Sequence, residues 1–352
     1  MRTLLLLIAL FLHSVPSFGQ DAQYKAIVNR YSKEKKLSGV VLVAKKGKVA
    51  YIQSVGFADK ETQRPMNAQT RFRIASMTKT FTAVLVMKLY EEGKIQLNAP
   101  ISTYIPNYTG EGMHIVNIHH LLTYSSGIED LTESLGMAPF EQLMTVDEYI
   151  RRYCSGRVID GPGNESKYSN TEYVLLHKIL ENVSGKSYST LLQEYILSPL
   201  KMTNTGVISS NTPNPKLAKT YSYDDSTNVF TKDAPYFGEN YFGSANMYST
   251  VEDMLLFNNA LFGRKLLSDS TTNTMLTIHE ELGYTAYGLW GSRGWGDFKE
   301  PFYYRTGGTL GATSNWIHTL DSQTTIIVMS NNNATDLYGF SAELYVAGSK
   351  AK

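Results

Sequence analysis

Ser32, Ser76 and Ser198 are each followed three residues later by a lysine, and one of these three pairs has a setting suited to chemistry. The pair that begins at Ser32 lies in a charged stretch. The pair that begins at Ser198 contains a proline, which ends a helix more readily than it starts one. The pair Ser76 and Lys79 stands between a predicted strand and a predicted amphipathic helix. Residues three apart share one helix face, so the Lys79 amine can reach the Ser76 hydroxyl.

The position of Ser76 at the start of a helix indicates a nucleophile. Free N–H groups in the first helical turn, and the positive end of the helix dipole, favour negative charge on an oxygen that develops there. A desolvated Lys79 loses its proton more easily and can accept one from Ser76. The alternative is an ordinary helix N-cap followed by a solvated lysine.

A second candidate element is "KYSNTEY", which contains the only Tyr-x-Asn among the 24 tyrosines of the chain. It follows a turn-rich loop, "GPGNES", and precedes a predicted helix. The phenol of Tyr168 near cations can act as a base or an acid. Asn170 offers a donor and an acceptor to a substrate amide. The alternative is a turn in which Asn170 serves only as N-cap of the next helix.

A third candidate element is "YYRTGGTLG" at the end of a predicted strand. Gly307 and Gly308 allow a substrate backbone to lie close to the strand edge. Arg305 can bind a carboxylate or stabilise negative charge, and Thr306 lies beside it. The alternative is a glycine-rich strand exit with a surface arginine.

The hydrophobic pattern predicts one sheet built from both ends of the chain, with a helical region inserted between them. A hairpin is predicted over 38–58, and strands follow "FYYRTGG", "TSNWIHTL" and "TTIIVMSN". Helices are predicted over 78–92, 249–263 and 334–346. The sheet part covers about 20–90 and 240–352, and the mostly helical insert covers about 91–239.

The first 19 residues have the features of a secretory signal peptide, with Arg2 before a short apolar run and small residues near Gly19. We therefore expect a periplasmic or secreted protein with no stable membrane span. The net charge of +1 gives no indication of nucleic-acid binding. The lone cysteine, Cys154, is expected to be a small buried residue.

These three elements, in this order, resemble the serine β-lactamase and penicillin-binding-protein superfamily, and most closely its class C-like branch. Passages between them, such as "LYEEGKIQLNAPISTYIPNY" and "GGTLGATSNWIHTLDSQTTIIVMSNNN", also resemble the family. The resemblance covers nearly all of the chain after the signal peptide. It implies a β-lactamase/transpeptidase-like α/β (α+β) fold, in which an antiparallel sheet is flanked by helices.

The resemblance also implies a role for each residue. Ser76 resembles the acylated nucleophile, Lys79 the proton shuttle and Tyr168 the general base and acid. Asn170 resembles the residue that orients the lysine and the substrate amide. The implied oxyanion hole consists of the backbone N–H groups of Ser76 and Gly308.

Two positions depart from the family pattern. Arg305 stands where the family usually has lysine or histidine, and its guanidinium is larger, planar and always charged. We expect it to be able to clamp a substrate carboxylate, but not to exchange protons. Tyr124 in "LLTYSSG" stands where relatives often have histidine, and we interpret it as structural.

The sequence thus predicts a serine hydrolase that works through an acyl-enzyme on a cell-wall-type D-amino-acid peptide, a β-lactam or a small ester. The alternative is an inactive binding or sensing protein, for which Arg305 is the only support. No Gly-x-Ser-x-Gly motif or metal-ligand spacing occurs, so no metal or cofactor is expected. His119 and His120 are interpreted as ordinary helix residues. The aromatic residues Trp290, Trp295, Tyr303 and Tyr304 are interpreted as packing residues, and the alternative is that they line a cleft.

Overall fold

The computed structural model of the chain describes residues 18–132 and 134–349. The helices are α1 Phe18–Glu34, α2 Thr78–Glu91, α3 Ile101–Tyr104, α4 Ile118–Leu122, α5 Val146–Tyr153, α6 Thr171–Ser184, α7 Tyr188–Leu192, α8 Ser198–Leu200, α9 Phe242–Ala245, α10 Val251–Phe262, α11 Asp269–Leu276 and α12 Leu337–Ser349. The strands are β1 Gly39–Lys45, β2 Lys48–Val55, β3 Phe57–Asp59, β4 Arg64–Pro65, β5 Phe72–Arg73, β6 Gly206–Val207, β7 Tyr221–Asp224, β8 Val229–Lys232, β9 Met247–Ser249, β10 Thr285–Ala286, β11 Leu289–Ser292, β12 Phe302–Thr309, β13 Ala312–Thr319 and β14 Thr324–Ser330. The predicted signal peptide lies outside the described residues, except for its last two positions, which begin α1.

The largest sheet joins the two ends of the chain. Its seven strands run in the order β10-β11-β12-β13-β14-β1-β2, and each neighbouring pair is antiparallel. Strand β1 pairs with β14 over its whole length, from Gly39 opposite Ser330 to Lys45 opposite Thr324. The predicted hairpin over 38–58 is confirmed as β1 and β2, and the predicted antiparallel sheet flanked by helices is confirmed with it.

Helices cover both faces of this sheet, because the central strands are apolar on both sides. In β1, Val41 and Val43 pack into the cluster that contains α1 and α12, whereas Val40 and Leu42 pack into the cluster that contains α2 and α10. Side chains alternate between the two faces of a strand, so one continuous apolar run serves two cores. The cluster that contains α2 and α10 also holds Phe81 and Phe257, whose stacked rings have centroids 3.9 Å apart.

The segment between α2 and α9 consists mostly of short helices, and α6 packs against α2. It also contains the hairpin β7–β8, which lies against the turn after β12. The predicted helices 78–92, 249–263 and 334–346 are confirmed as α2, α10 and α12, with ends that differ by one to three residues. None of the helices in residues 18–132 and 134–349 is long and apolar enough to cross a bilayer.

The two glycines of β12 provide a matched test of this packing. A Cβ on Gly307 would lie 2.3 Å from the Ile74 carbonyl oxygen and 2.5 Å from the Ser314 hydroxyl, whereas a Cβ on Gly308 would meet nothing within 4 Å. We expect Gly307→Ala to lower the free energy of unfolding by about 1–3 kcal/mol through overpacking. Gly308→Ala should leave it unchanged. Urea unfolding followed by circular dichroism measures both, and equal losses would contradict this account of β12.

Candidate active site

Ser76 lies in a single 3-10 turn, Ala75–Met77, between β5 and α2. The residue before it, Ala75, has a φ of 45°, a left-handed conformation that costs a non-glycine residue about 1–2 kcal/mol. The backbone on the N-terminal side is fixed, because the Ile74 N–H donates to the Met247 carbonyl and the Ile74 carbonyl accepts from Ser314. The surrounding strands therefore hold the sharp turn that presents the Ser76 hydroxyl.

Lys79 is fully buried one turn after Ser76, and its ammonium is surrounded by oxygens. Its Nζ donates to the Asn170 Oδ1 at 2.6 Å, the Tyr168 hydroxyl at 2.8 Å and the Ser244 carbonyl at 3.1 Å. It lies 3.4 Å from the Ser76 Oγ. A buried charge needs such partners to offset the loss of water. The alternative of a solvated lysine does not apply at this position.

Tyr168 connects the lysine to the serine. Its hydroxyl lies 2.6 Å from the Ser76 Oγ, and the Lys79 contact reaches the same oxygen. The side chain keeps 44% of its surface exposed, so the residue forms part of an open wall while its hydroxyl contacts the buried lysine. A proton on Ser76 can therefore pass to Tyr168 without rearrangement of either side chain.

Asn170 occupies the N-cap position of α6, as the N-cap alternative predicts, but its side chain does not cap the helix. The Ser169 hydroxyl instead accepts a hydrogen bond from the Thr171 N–H at 3.0 Å. The Asn170 amide oxygen is thus free to accept from Lys79. Within the described part of the chain its amide nitrogen makes no hydrogen bond, which leaves that donor for a substrate.

The pKa values of both Lys79 and Tyr168 lie below their usual range. Burial, and secondarily the charge of Arg305, lower the pKa of Lys79 to about 8, although Tyr168 acts in the opposite direction. For Tyr168, burial raises the pKa, but the charges of Lys79 and Arg305 outweigh it and bring the pKa to about 8. With this pKa a substantial share of Tyr168 is phenolate near pH 8, and the phenolate can accept a proton and return it.

Arg305 is the site residue whose placement differs most from expectation. The structure places its guanidinium in the interior, 0% exposed, and not in an open cleft where it could clamp a carboxylate. Its Nε donates to the Ser76 carbonyl oxygen at 2.8 Å, and its Nη1 donates to the Tyr124 hydroxyl at 2.9 Å. Its Nη2 lies 3.5 Å from the Tyr168 hydroxyl. The alternative of a surface arginine is therefore wrong.

For Trp290 the sequence analysis favours packing over the lining of a cleft, whereas the structure places it beside the candidate site. Its indole ring lies 4.5 Å from the Arg305 guanidinium carbon and stacks on Tyr124 at 5.9 Å. It also lies 5.9 Å from the Tyr168 ring. Tyr124 itself is 1% exposed, as its structural interpretation predicts. The pairing of Trp290 with Tyr304 in β12 brings it to this position, and the cleft-lining alternative of the sequence analysis is the signal that pointed to it.

The end of β12 provides an open strand edge beside Ser76. Strand β11 pairs with β12 only from Phe302 to Tyr304, so the stretch from Arg305 onward has no partner strand on that side among residues 18–132 and 134–349. Thr306 and Gly308 are exposed, whereas Gly307 is buried against the Ile74 carbonyl. The structure thus brings Gly307 against the residue that precedes the serine turn and leaves open space on the side of Gly308 where a Cβ would lie.

Other candidate residues take no part in this cluster. His120 lies in α4, where its N–H donates to the N-cap residue Asn117, and Cys154 is buried. Both behave as the sequence analysis predicts. Among the described residues, no group of three or more His, Cys, Asp or Glu side chains is placed to hold a metal ion.

Comparisons with known proteins identify the family. The family model described as Beta-lactamase matches residues 25–348. A Bacillus subtilis (strain 168) protein named penicillin-binding protein PbpX is 27% identical over 312 residues, which cover 87% of this chain and 74% of PbpX. Esterase EstB of Burkholderia gladioli is 31% identical over 204 residues, which cover 54% of this chain and 52% of EstB, about half its length. The structure of a D-amino acid amidase from Ochrobactrum anthropi, 22% identical, superposes with a TM-score of 0.82 and covers 95% of this chain and 99% of the amidase. The chain belongs to the beta-lactamase family of serine hydrolases.

Proposed function

We propose that the protein is an exported serine hydrolase that transfers the acyl group of an ester or amide to Ser76 and then to water. The observation that carries this proposal is the pair of contacts made by the Tyr168 hydroxyl, at 2.6 Å to the Ser76 Oγ and 2.8 Å to the Lys79 Nζ. A nucleophile, its base and a group that orients the base are within hydrogen-bond reach of one another, as acyl transfer requires.

The Tyr168–Lys79 pair accepts and returns one proton in each of the two half-reactions. The Ser76 oxygen attacks the carbonyl carbon while its proton passes to the Tyr168–Lys79 pair. The same proton then goes to the leaving alcohol or amine as the bond to the carbonyl carbon breaks. In the second half, water gives a proton to the pair and attacks the acyl-enzyme, and Ser76 is released with a proton.

The oxyanion of each tetrahedral intermediate needs donors placed in advance. We assign the backbone N–H groups of Ser76 and Gly308 to this role. Support comes from the open space beside Gly308 and from the unpaired strand edge that contains it. Such donors supply a large part of the acceleration in acyl transfer.

The alternative of an inactive binding protein has lost its specific support. It depended on Arg305 as a change that disables the site. In its buried position, Arg305 leaves the contacts among Ser76, Lys79 and Tyr168 in place and adds a charge that favours the phenolate. We therefore favour a hydrolase over a sensing protein.

The proposed substrates are small esters and amides, including D-amino-acid derivatives, and not β-lactams alone. An esterase and a D-amino acid amidase among the similar proteins support this range. The class C-like motif order fits the same range of acyl donors. Export to the periplasm or the medium rests on the N-terminal sequence, with its short apolar run after Arg2.

Acylation of Ser76 is the first test. The protein without residues 1–19 is mixed with p-nitrophenyl acetate, and intact mass is followed together with nitrophenol release. We expect one acetyl group on the wild type and none on Ser76→Ala, because the ester needs a positioned nucleophile. Ser198→Ala is the matched control, because this exposed serine also precedes a lysine by three residues. Equal behaviour of wild type and Ser76→Ala, without a burst, would refute the proposal.

The pH dependence of acylation follows from the two lowered pKa values. Below about pH 8 both Lys79 and Tyr168 are protonated, so the pair cannot accept the Ser76 proton. We expect kcat/KM for a nitrophenyl ester to rise with pH, about tenfold per unit at low pH, and to level off near pH 8. A second ester with another leaving group should give the same midpoint. A profile that is flat or falls between pH 6 and 9 would contradict this proton path.

A further inference from the structure

We infer that Arg305 is a positioning residue withdrawn from the substrate, so that the enzyme acts on acyl donors whose leaving group carries no carboxylate. The inference rests on the proposed hydrolase function and narrows its substrate class. It differs from the expectation for this motif position, where a cation facing the cleft could bind an anionic leaving group.

The donor side of Arg305 is occupied by protein oxygens. All three guanidinium nitrogens face one: the Ser76 carbonyl, the Tyr124 hydroxyl and the Tyr168 hydroxyl. An arginine that recognises a carboxylate does so through N–H donors accessible from the cleft, frequently two in parallel. A guanidinium with 0% exposure offers no such pair.

The flat face of the guanidinium is also covered. Trp290 lies over it at 4.5 Å, and the same indole stacks on Tyr124. For Arg305 to reach a substrate, it would have to give up this cation–π contact. It would also lose its hydrogen bonds to the Ser76 carbonyl and to the buried Tyr124 hydroxyl, and the loss of hydrogen bonds between buried groups is costly.

The charges around the cleft also disfavour a leaving group that carries a carboxylate. Tyr168 and Asn170 line a cavity of about 730 Å³ whose walls include the carboxyl groups of Glu129, Asp130, Asp160 and Glu165, against the ammonium of Lys167. The other cation at the catalytic hydroxyls, Lys79, is also 0% exposed. An anionic leaving group would meet carboxylates and no exposed partner among the groups that contact Ser76.

The buried charge has a use that needs no contact with the substrate. It favours the phenolate of Tyr168 and disfavours a second positive charge on Lys79, so it acts on both carriers of the Ser76 proton. The Nε contact with the Ser76 carbonyl holds the serine turn at the same time. These effects apply equally to every acyl donor.

A pair of esters with the same acyl group tests the inference directly. The compounds are 3-acetoxybenzoate and 3-acetoxybenzamide, which differ in the charge of the leaving phenol. We expect the wild type to cleave the carboxamide with a kcat/KM about tenfold higher than that of the carboxylate. A tenfold preference for the carboxylate would overturn the inference. If p-nitrophenyl acetate acylates Ser76 but the carboxylate ester is preferred, only the inference about Arg305 is wrong. If no ester reacts, the proposed function is wrong.

Variants of Arg305 separate positioning from recognition. Arg305→Met should lower kcat for both esters by about 100-fold and leave the ratio of their kcat/KM values unchanged. It should also move the rising limb of the pH profile to higher pH. The limb moves upward because loss of the charge raises the pKa of both Tyr168 and Lys79. Arg305→Lys, which keeps a charge, should keep the limb near its wild-type position and provides the comparison if the Met variant does not fold. A selective rise in KM for the carboxylate ester would show that Arg305 binds the substrate.

Discussion

The burial of the Lys79 ammonium is the constraint on which the rest of the site depends. Removing a charge from water costs several kcal/mol, and oxygens at hydrogen-bond distance must offset that cost. The three nearest oxygens come from the loop before α6, from Asn170 at the start of that helix, and from the main chain of α9. The ammonium therefore ties the helical region to the part of the chain that carries Ser76. The contacts that make its burial tolerable also place the Tyr168 hydroxyl against the nucleophile.

Local spacing and family resemblance were enough to predict that Ser76, Lys79, Tyr168 and Asn170 lie together, because each stands at a recognisable junction of elements. Helix ends were predicted within one to three residues for the same reason. The contact that each side chain makes was harder to predict from the sequence. Asn170 stands at an N-cap, but Ser169 does the capping, because the buried lysine competes for the amide oxygen. Single-residue preferences do not include such competition.

Other parts of the site could not be read from residue types. The oxygen that Ser244 offers to Lys79 is a main-chain carbonyl, which every residue has. For Arg305, the strand pattern predicts the face of the sheet on which the side chain lies, but not whether that face is closed. The closure depends on Trp290 from a neighbouring strand and Tyr124 from the helical region. Arginine suits such an enclosure better than lysine, because its planar group is weakly hydrated and its face can stack.

The position of Trp290 has a further consequence, which is optical. The chain has three tryptophans, and their surroundings differ: Trp316 is 1% exposed, Trp295 is 64% exposed, and Trp290 is half-buried beside the catalytic phenol. Indole emission responds to nearby charge and to water. An acyl group on Ser76 would alter both around Trp290 and leave the other two indoles in their present surroundings. The cleft thus contains an intrinsic fluorophore by which its occupancy can be followed without a label.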